Sequence, residues 1–185
     1  ELASTEDNTQ EETEEEEIAL GAYEIISFDD IARGSYKNVT WRIDKNGKLT
    51  VKGSGEYCEY PQHTYSPWYA YRDAIKTAEV SVKSIKNPSF MFEDCVNLTS
   101  VDISGLDTSQ STNLSAMFRG CSSLKTIDLS RMKTSNATQI NAMFADCSSL
   151  ETLDLSNFDT AKVTNMGSLF SYAKNLKHIQ FGKKF

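Results

Sequence analysis

Few side chains in this sequence are of types that do covalent chemistry, and their spacing limits what that chemistry can be. Four cysteines and two histidines are present. Cys95, Cys121 and Cys147 recur every 26 residues, with Ala173 in the next equivalent place. A position that accepts Cys or Ala wants a small apolar side chain, so the three thiols are expected to stack as a buried column. A disulfide between neighbours would leave one of the three unpaired, and thiolate metal sites need ligands converging on a point, not a line. Cysteine usage therefore fixes no redox compartment, and no metal or cofactor is expected. Nucleophilic catalysis needs a base beside a Ser or Cys and a third group to orient it. His63 lies five residues after Cys58, and His178 is far along the chain. Neither arrangement makes a triad, no phosphate-cradling Gly-rich loop appears, and the chain is not expected to be an enzyme.

The elements that carry these residues follow from one period. Met91-Phe92, Met117-Phe118, Met143-Phe144 and Leu169-Phe170 are separated by identical steps of 26. Three residues past each Cys, or past Ala173, comes an L-x-x-L-x-L pattern: Leu98/Val101/Ile103, Leu124/Ile127/Leu129, Leu150/Leu153/Leu155 and Leu176/Ile179/Phe181. Ile75/Ala78/Val80 forms a fainter copy ahead of them. Each unit reads as a short strand, a turn and a short helical stretch, the last from spacings such as Val163, Met166, Leu169 and Phe170. One unit cannot bury its apolar side alone, so the units must stack, with strands ~4.8 Å apart in a parallel sheet. The expected fold is α/β: a right-handed β/α superhelix, a leucine-rich-repeat solenoid, over residues 73–185.

Residues 18–72 differ. Val39-x-Trp41-x-Ile43 and Leu49-x-Val51 flank Asp44-Lys45-Asn46-Gly47. Asn-Gly between alternating strands predicts a hairpin with a type I′ turn, both residues tolerating positive φ. As a metal loop the same residues lack further ligands. The aromatic run Tyr57, Tyr60, Tyr65, Trp68, Tyr69, Tyr71 follows. An open solenoid end exposes its core, so 18–72 is assigned to an N-terminal β-rich capping subdomain.

Residues 1–17 hold nine acids and no base, leaving 17 acids against 19 bases in the rest, although the whole chain carries a formal charge of −7. So polar a segment cannot bury enough surface to offset its ordering entropy and is expected to be a disordered acidic linker, downstream of a removed secretory signal or lipid anchor. The near-neutral body gives no footprint for nucleic acid, and no run of ~18 apolar residues would insert in a membrane. The sequons at Asn38, Asn97, Asn113 and Asn136 arise readily from such Asn/Ser/Thr-rich repeats and are given no function.

The strand alternation places one column outward: Glu79, Asp102, Asp128, Asp154, Gln180. Thr77, Ser100, Thr126, Thr152 and His178 flank it on one side; Ser81, Ser104, Ser130, Ser156 and Gly182 on the other. Like charges ~5 Å apart at an effective dielectric constant of about 20 repel by ~3 kcal/mol before relaxation and salt. Hydrogen bonds from the flanking hydroxyl residues, a raised pKa at Asp128, or a bound cation or basic partner must offset this. The candidate binding residues are therefore Glu79, Asp102, Asp128, Asp154, Thr126, Thr152 and His178. Trp68 and Tyr69 are added for the aromatic cluster, which could stack sugars but more often plugs a solenoid end.

The unit at 143–160, Met-Phe-x-x-Cys-Ser-Ser-Leu-x-x-Leu-Asp-Leu-Ser-x-Phe-Asp-Thr, resembles the BspA-like leucine-rich-repeat surface proteins of bacteria. So do Trp-x-Ile-Asp-x-Asn-Gly-x-Leu-Thr-Val at 41–51 and Ser-Pro-Trp at 66–68. The resemblance covers roughly 35–185. It implies an exported, extracellular or cell-surface protein that adheres to host matrix or cell-surface proteins and is not catalytic. A carbohydrate-binding module using Tyr57–Tyr71, or a passive stalk, are the alternative readings. The final Phe-Gly-Lys-Lys-Phe resembles the middle of a unit, so the array is expected to be cut there or to end without a cap.

Overall fold

The computed structural model describes residues 30–57 and 65–185. The acidic linker at 1–17, the first part of the capping segment, Cys58, Tyr60 and His63 lie outside the described residues. Among the described residues seven strands are formed: β1 (Asp30–Tyr36), β2 (Val39–Asp44), β3 (Lys48–Ser54), β4 (Thr77–Lys83), β5 (Ser100–Asp102), β6 (Thr152–Leu155) and β7 (His178–Phe181). β1 to β5 make one sheet in sequence order, and β6 and β7 a second. β1, β2 and β3 are antiparallel neighbours; β3–β4, β4–β5 and β6–β7 are parallel.

The hairpin forms because β2 alternates buried Val39, Trp41 and Ile43 with exposed Thr40 and Arg42. Its turn is not type I′. Gly47 has φ +81° while Asn46 keeps a negative φ. The Asp44 carboxylate accepts the N–H groups of Asn46 and Lys48, both at 2.9 Å, and Gly47 N–H donates to the Asp44 carbonyl. A Cβ at Gly47 would stand 2.3 Å from the Ala74 carbonyl oxygen, so glycine is required there. β3 then pairs with β4 over seven residues, aligning Leu49 with Ala78 and Val51 with Val80. The hairpin thus runs straight into the parallel stack. Trp68 is fully buried and its indole N–H donates to the Met91 carbonyl at 2.8 Å. Tyr57, also buried, donates to the Ser89 carbonyl and packs 5.2 Å from Trp68.

From Met91 onward the 26-residue register is realised side chain on side chain. Phe92, Phe118, Phe144 and Phe170 stack at 5.4, 5.8 and 6.1 Å between ring centroids, within 13° of parallel. Cys95, Cys121 and Cys147 form the buried column beside them. The last coil is more open: Met166, Tyr172 and Phe181 are exposed.

Two expectations fail. The stretches read as helical are not helices; the one helix among the described residues is a 3₁₀ segment, Tyr69–Ala74. In every coil two residues adopt positive φ: Phe90 and Asp94, Ala116 and Gly120, Ala142 and Asp146, Ser168 and Tyr172. Left-handed residues cannot continue a right-handed helix. The backbone instead alternates local and inter-coil bonds. Phe92, Phe118 and Phe144 N–H groups donate to the carbonyls of Met117, Met143 and Leu169 in the next coil, at 2.9 to 3.0 Å. Cys95, Cys121 and Cys147 N–H groups close turns onto Phe92, Phe118 and Phe144. The fold is a β-solenoid with little helix.

Nor is the parallel sheet continuous. Residues 124–129 take no strand conformation, which splits β5 from β6. Side chains satisfy the backbone there: the Asn157 amide donates to the carbonyls of Leu129 (3.0 Å) and Met132 (2.8 Å). Buried Thr108 and Thr134 hydroxyls donate to the Lys133 and Asp159 carbonyls one coil on.

Phe118 has a ring on both faces and no exposure. Phe118→Ala is expected to cost about 3–5 kcal/mol of unfolding free energy, and Phe170→Ala at the open coil about half that, measured by urea denaturation.

Candidate functional site: a charged face on the parallel strands

Strand pairing fixes which outward side chains are neighbours. Arg33 of β1 is opposite Arg42 of β2, which is opposite Thr50 of β3. Thr50 aligns with Glu79 of β4, and Glu79 with Asp102 of β5. Asp128 is exposed on the next coil, and Asp154 of β6 aligns with Gln180 of β7. Thr152 aligns with His178, both exposed, and Thr126 is exposed next to Asp128 in its coil. The structure therefore brings Glu79, Asp102, Asp128, Asp154, Thr126, Thr152 and His178 onto one face.

Each aspartate is held by the serine two residues on. Asp102 Oδ1 accepts the Ser104 N–H at 2.9 Å, Asp128 Oδ1 the Ser130 N–H at 2.9 Å, and Asp154 Oδ1 the Ser156 N–H at 2.8 Å. These bonds, from the serine backbone and side chain, hold all three carboxyls below the usual carboxylate range. A raised pKa at Asp128 is thus corrected: Ser130 lowers it, and nearby Arg131 adds to the effect. Lys48 Nζ lies 2.7 Å from Glu79 Oε2, lowering the Glu79 pKa and raising that of Lys48. Hydrogen bonding to the charged form thus offsets the repulsion within the row.

Trp68 and Tyr69 are elsewhere. Trp68 has no face in solvent. Tyr69 stacks on exposed Tyr65 at 3.9 Å, its hydroxyl donates to Asp94 Oδ2, and the Arg72 guanidinium lies 4.4 Å over its ring. This cluster sits against the turn segment of the coils, not the strand face. The thiol column offers no nucleophile: burial pushes the Cys95 and Cys147 thiols up to about 12 and holds Cys121 well above the ordinary thiol range. Among the described residues no group of three or more His, Cys, Asp or Glu could hold a metal ion, and no helix is long and apolar enough to cross a membrane.

Sequence reasoning missed the other half of this face. An open groove of about 1010 Å³ lies over β1 to β3, lined by Arg33, Lys37, Arg42, Lys48 and Lys52. Arg42 forms an ion pair with Asp30, and the Lys37 ammonium lies 5.0 Å from the Tyr36 ring. The signal was present in the alternation, since Arg42 and Lys48, Thr50, Lys52 occupy the outward positions of the hairpin.

A stack of 26-residue coils with a short strand on one side and buried leucines behind it defines a leucine-rich-repeat solenoid. A leucine-rich repeat protein from Eubacterium ventriosum superposes with a TM-score of 0.53 at 20% identity, over 84% of this chain and 45% of its own. A leucine rich cell surface protein from Faecalibacterium prausnitzii gives 0.44 at 16% identity, over 84% and 44%. The chain thus spans less than half the length of these solved chains, and the first likeness shows a shared fold. The family model described as "Mycoplasma protein of unknown function, DUF285" matches residues 69–181, and the chain belongs to that family. No curated protein matches.

Because the fold lowers the Asp102, Asp128 and Asp154 pKa values, their contribution to stability is complete above the unfolded value of about 3.9 and is lost as pH falls through the folded values. Carbon-13 titration is expected to place all three midpoints below 3.9, and the Asp102/Asp128/Asp154→Asn variant to flatten the acid limb of the stability curve. For the thiols, in a Cys58→Ser background a maleimide at about pH 8 is expected to label Cys95, Cys121 and Cys147 only at the rate of global unfolding.

Proposed function

We propose that this chain is a non-catalytic recognition module, secreted or displayed on a bacterial surface, that receives a Lys/Arg-bearing segment of a host or cell-surface protein on its strand face. One observation carries the reading: Glu79, Asp102, Asp128 and Asp154 recur in register on an exposed face, and the three aspartates are kept ionised by serine N–H groups and hydroxyls rather than buried against cations of the same chain. Thr126 and Thr152 add hydroxyls to this row, and His178 an imidazole at its end. A stacked solenoid holds such a row rigid, so little ordering entropy is lost on binding. Residues 18–72 act as the cap of the array, with Trp41, Tyr57 and Trp68 closing its apolar end. The burial of Trp68 weighs against sugar stacking at that residue. Protonated, buried thiols support a non-catalytic role.

The test is capture of host matrix and serum proteins by immobilised wild type and by the Asp102/Asp128/Asp154→Asn variant. Salt-sensitive capture of a basic protein that falls at least about tenfold in the variant is expected. Equal capture by both, or none by either, would reject the acidic row as the binding surface.

A further inference from the structure

The acidic row is one end of a longer pattern. Read across the strands, the paired outward positions run Arg33, Arg42, Thr50, Glu79, Asp102, and exposed Asp128 follows on the next coil, close enough for its charge to act on Asp102: cations at one end, carboxylates at the other. The six positions span about 24 Å at ~4.8 Å per strand. The basic end is a groove that Glu79 also lines, and Asp102 and Asp128 stand exposed beyond it. A face that is basic at one end and acidic at the other is complementary to itself when a second copy is turned end for end.

We infer that the partner fitting this face is a second copy of the same chain. A two-fold axis parallel to the strands, midway between β3 and β4, turns one face onto the other. It sets Arg33 against Asp128 of the second copy, Arg42 against Asp102, and Thr50 against Glu79. Lys48 and Lys52 stand on either side of Thr50 in β3, so the opposing Glu79 carboxylate falls between two ammonium groups. Every contact occurs twice by symmetry, and the interface closes at two copies. Arg42 keeps Asp30 and Lys48 keeps Glu79, and each gains a second carboxylate. The interface is polar and made of solvent-accessible pairs, so its strength depends steeply on salt. This inference rests on the reading of the acidic row as a cation-receiving surface; it makes the cation donor the basic end of another copy.

The experiment is sedimentation velocity on the full chain at low salt and at about 0.5 M salt, where the Debye length is only a few ångströms. Two variants accompany it: Arg33→Glu/Arg42→Glu, which reverses the charge of the basic end, and Asp102→Lys/Asp128→Lys, which reverses that of the acidic end. A dimer at low salt that dissociates at high salt is expected. Each variant alone is expected to be monomeric, with the association constant down by about a hundredfold or more. An equimolar mixture of the two is expected to restore a 1:1 complex. That rescue also demonstrates that both variants fold, and Arg33→Gln/Arg42→Gln gives the same loss in a milder form. A monomer at low salt, a dimer that survives in either variant alone, or failure of the mixture to associate overturns the inference. Dimerisation appearing only after removal of residues 1–17 also overturns it, because the chain's own acidic segment then competes for the basic end. Titration with an oligolysine peptide separates the two readings. If the peptide binds the wild-type monomer and not the triple Asn variant, the acidic row stands and self-association alone falls; if it does not bind, both fall.

Discussion

The hydrogen bonds that tie Phe92, Phe118 and Phe144 to the next coil are the constraint on which the rest of the structure depends. Each N–H donates to a carbonyl 25 residues further on, at 2.9 to 3.0 Å, and each Phe ring lies on the ring 26 residues away. The two requirements fix the coil length together. A coil one residue longer would satisfy neither, because the buried methionine, phenylalanine, cysteine and leucine columns would all shift against their neighbours. Backbone pairing and core packing thus enforce the same number, which is why the sequence repeats so strictly.

The same constraint accounts for the unusual backbone. A residue outside glycine in the left-handed region costs about 1–2 kcal/mol, and each coil contains two positive-φ positions. In return, alternate N–H groups point along the stack while those between close local turns, so the backbone N–H groups of these segments are paired. Gly120 occupies one such position, where a Cβ would stand 2.3 Å from Asp94 Oδ1. At the end of the gap at 124–129 the Asn157 amide reaches the Leu129 carbonyl, and beyond it the buried Thr108 and Thr134 hydroxyls join one coil to the next. Thr108, Thr134 and Thr160, at the same place in successive coils, are therefore coil-to-coil links.

Stacking like residues on like also builds the surface. Once coils are in register, any outward acid repeated in the sequence becomes a row, and repulsion within it is unavoidable. Serine two residues after each aspartate supplies the N–H that keeps the charge in place. The three antiparallel strands β1 to β3 are under no such repetition and carry Arg33, Arg42, Lys48 and Lys52 instead. Because β3 joins β4 in parallel, those cations share a face with the row. Along that face the charge thereby changes sign between the hairpin and the coils that follow it.

The coil length, the buried columns, the hairpin and the outward acids were all legible in the residues, since each is written in local spacing: 26 between phenylalanines, two between strand positions. Val163, Met166, Leu169 and Phe170 show where local spacing misleads. Apolar residues at helical intervals equally suit overlapping turns, and the choice between them was made by carbonyls one coil away, which no window of sequence contains. The break in the sheet at 124–129, the turn chosen at Asp44–Gly47, the lowered pKa of Asp128 and the basic half of the face belong to the same class. Each depends on which distant group stands opposite. The order along the chain is sufficient for what repeats, and only the folded stack decides what faces what.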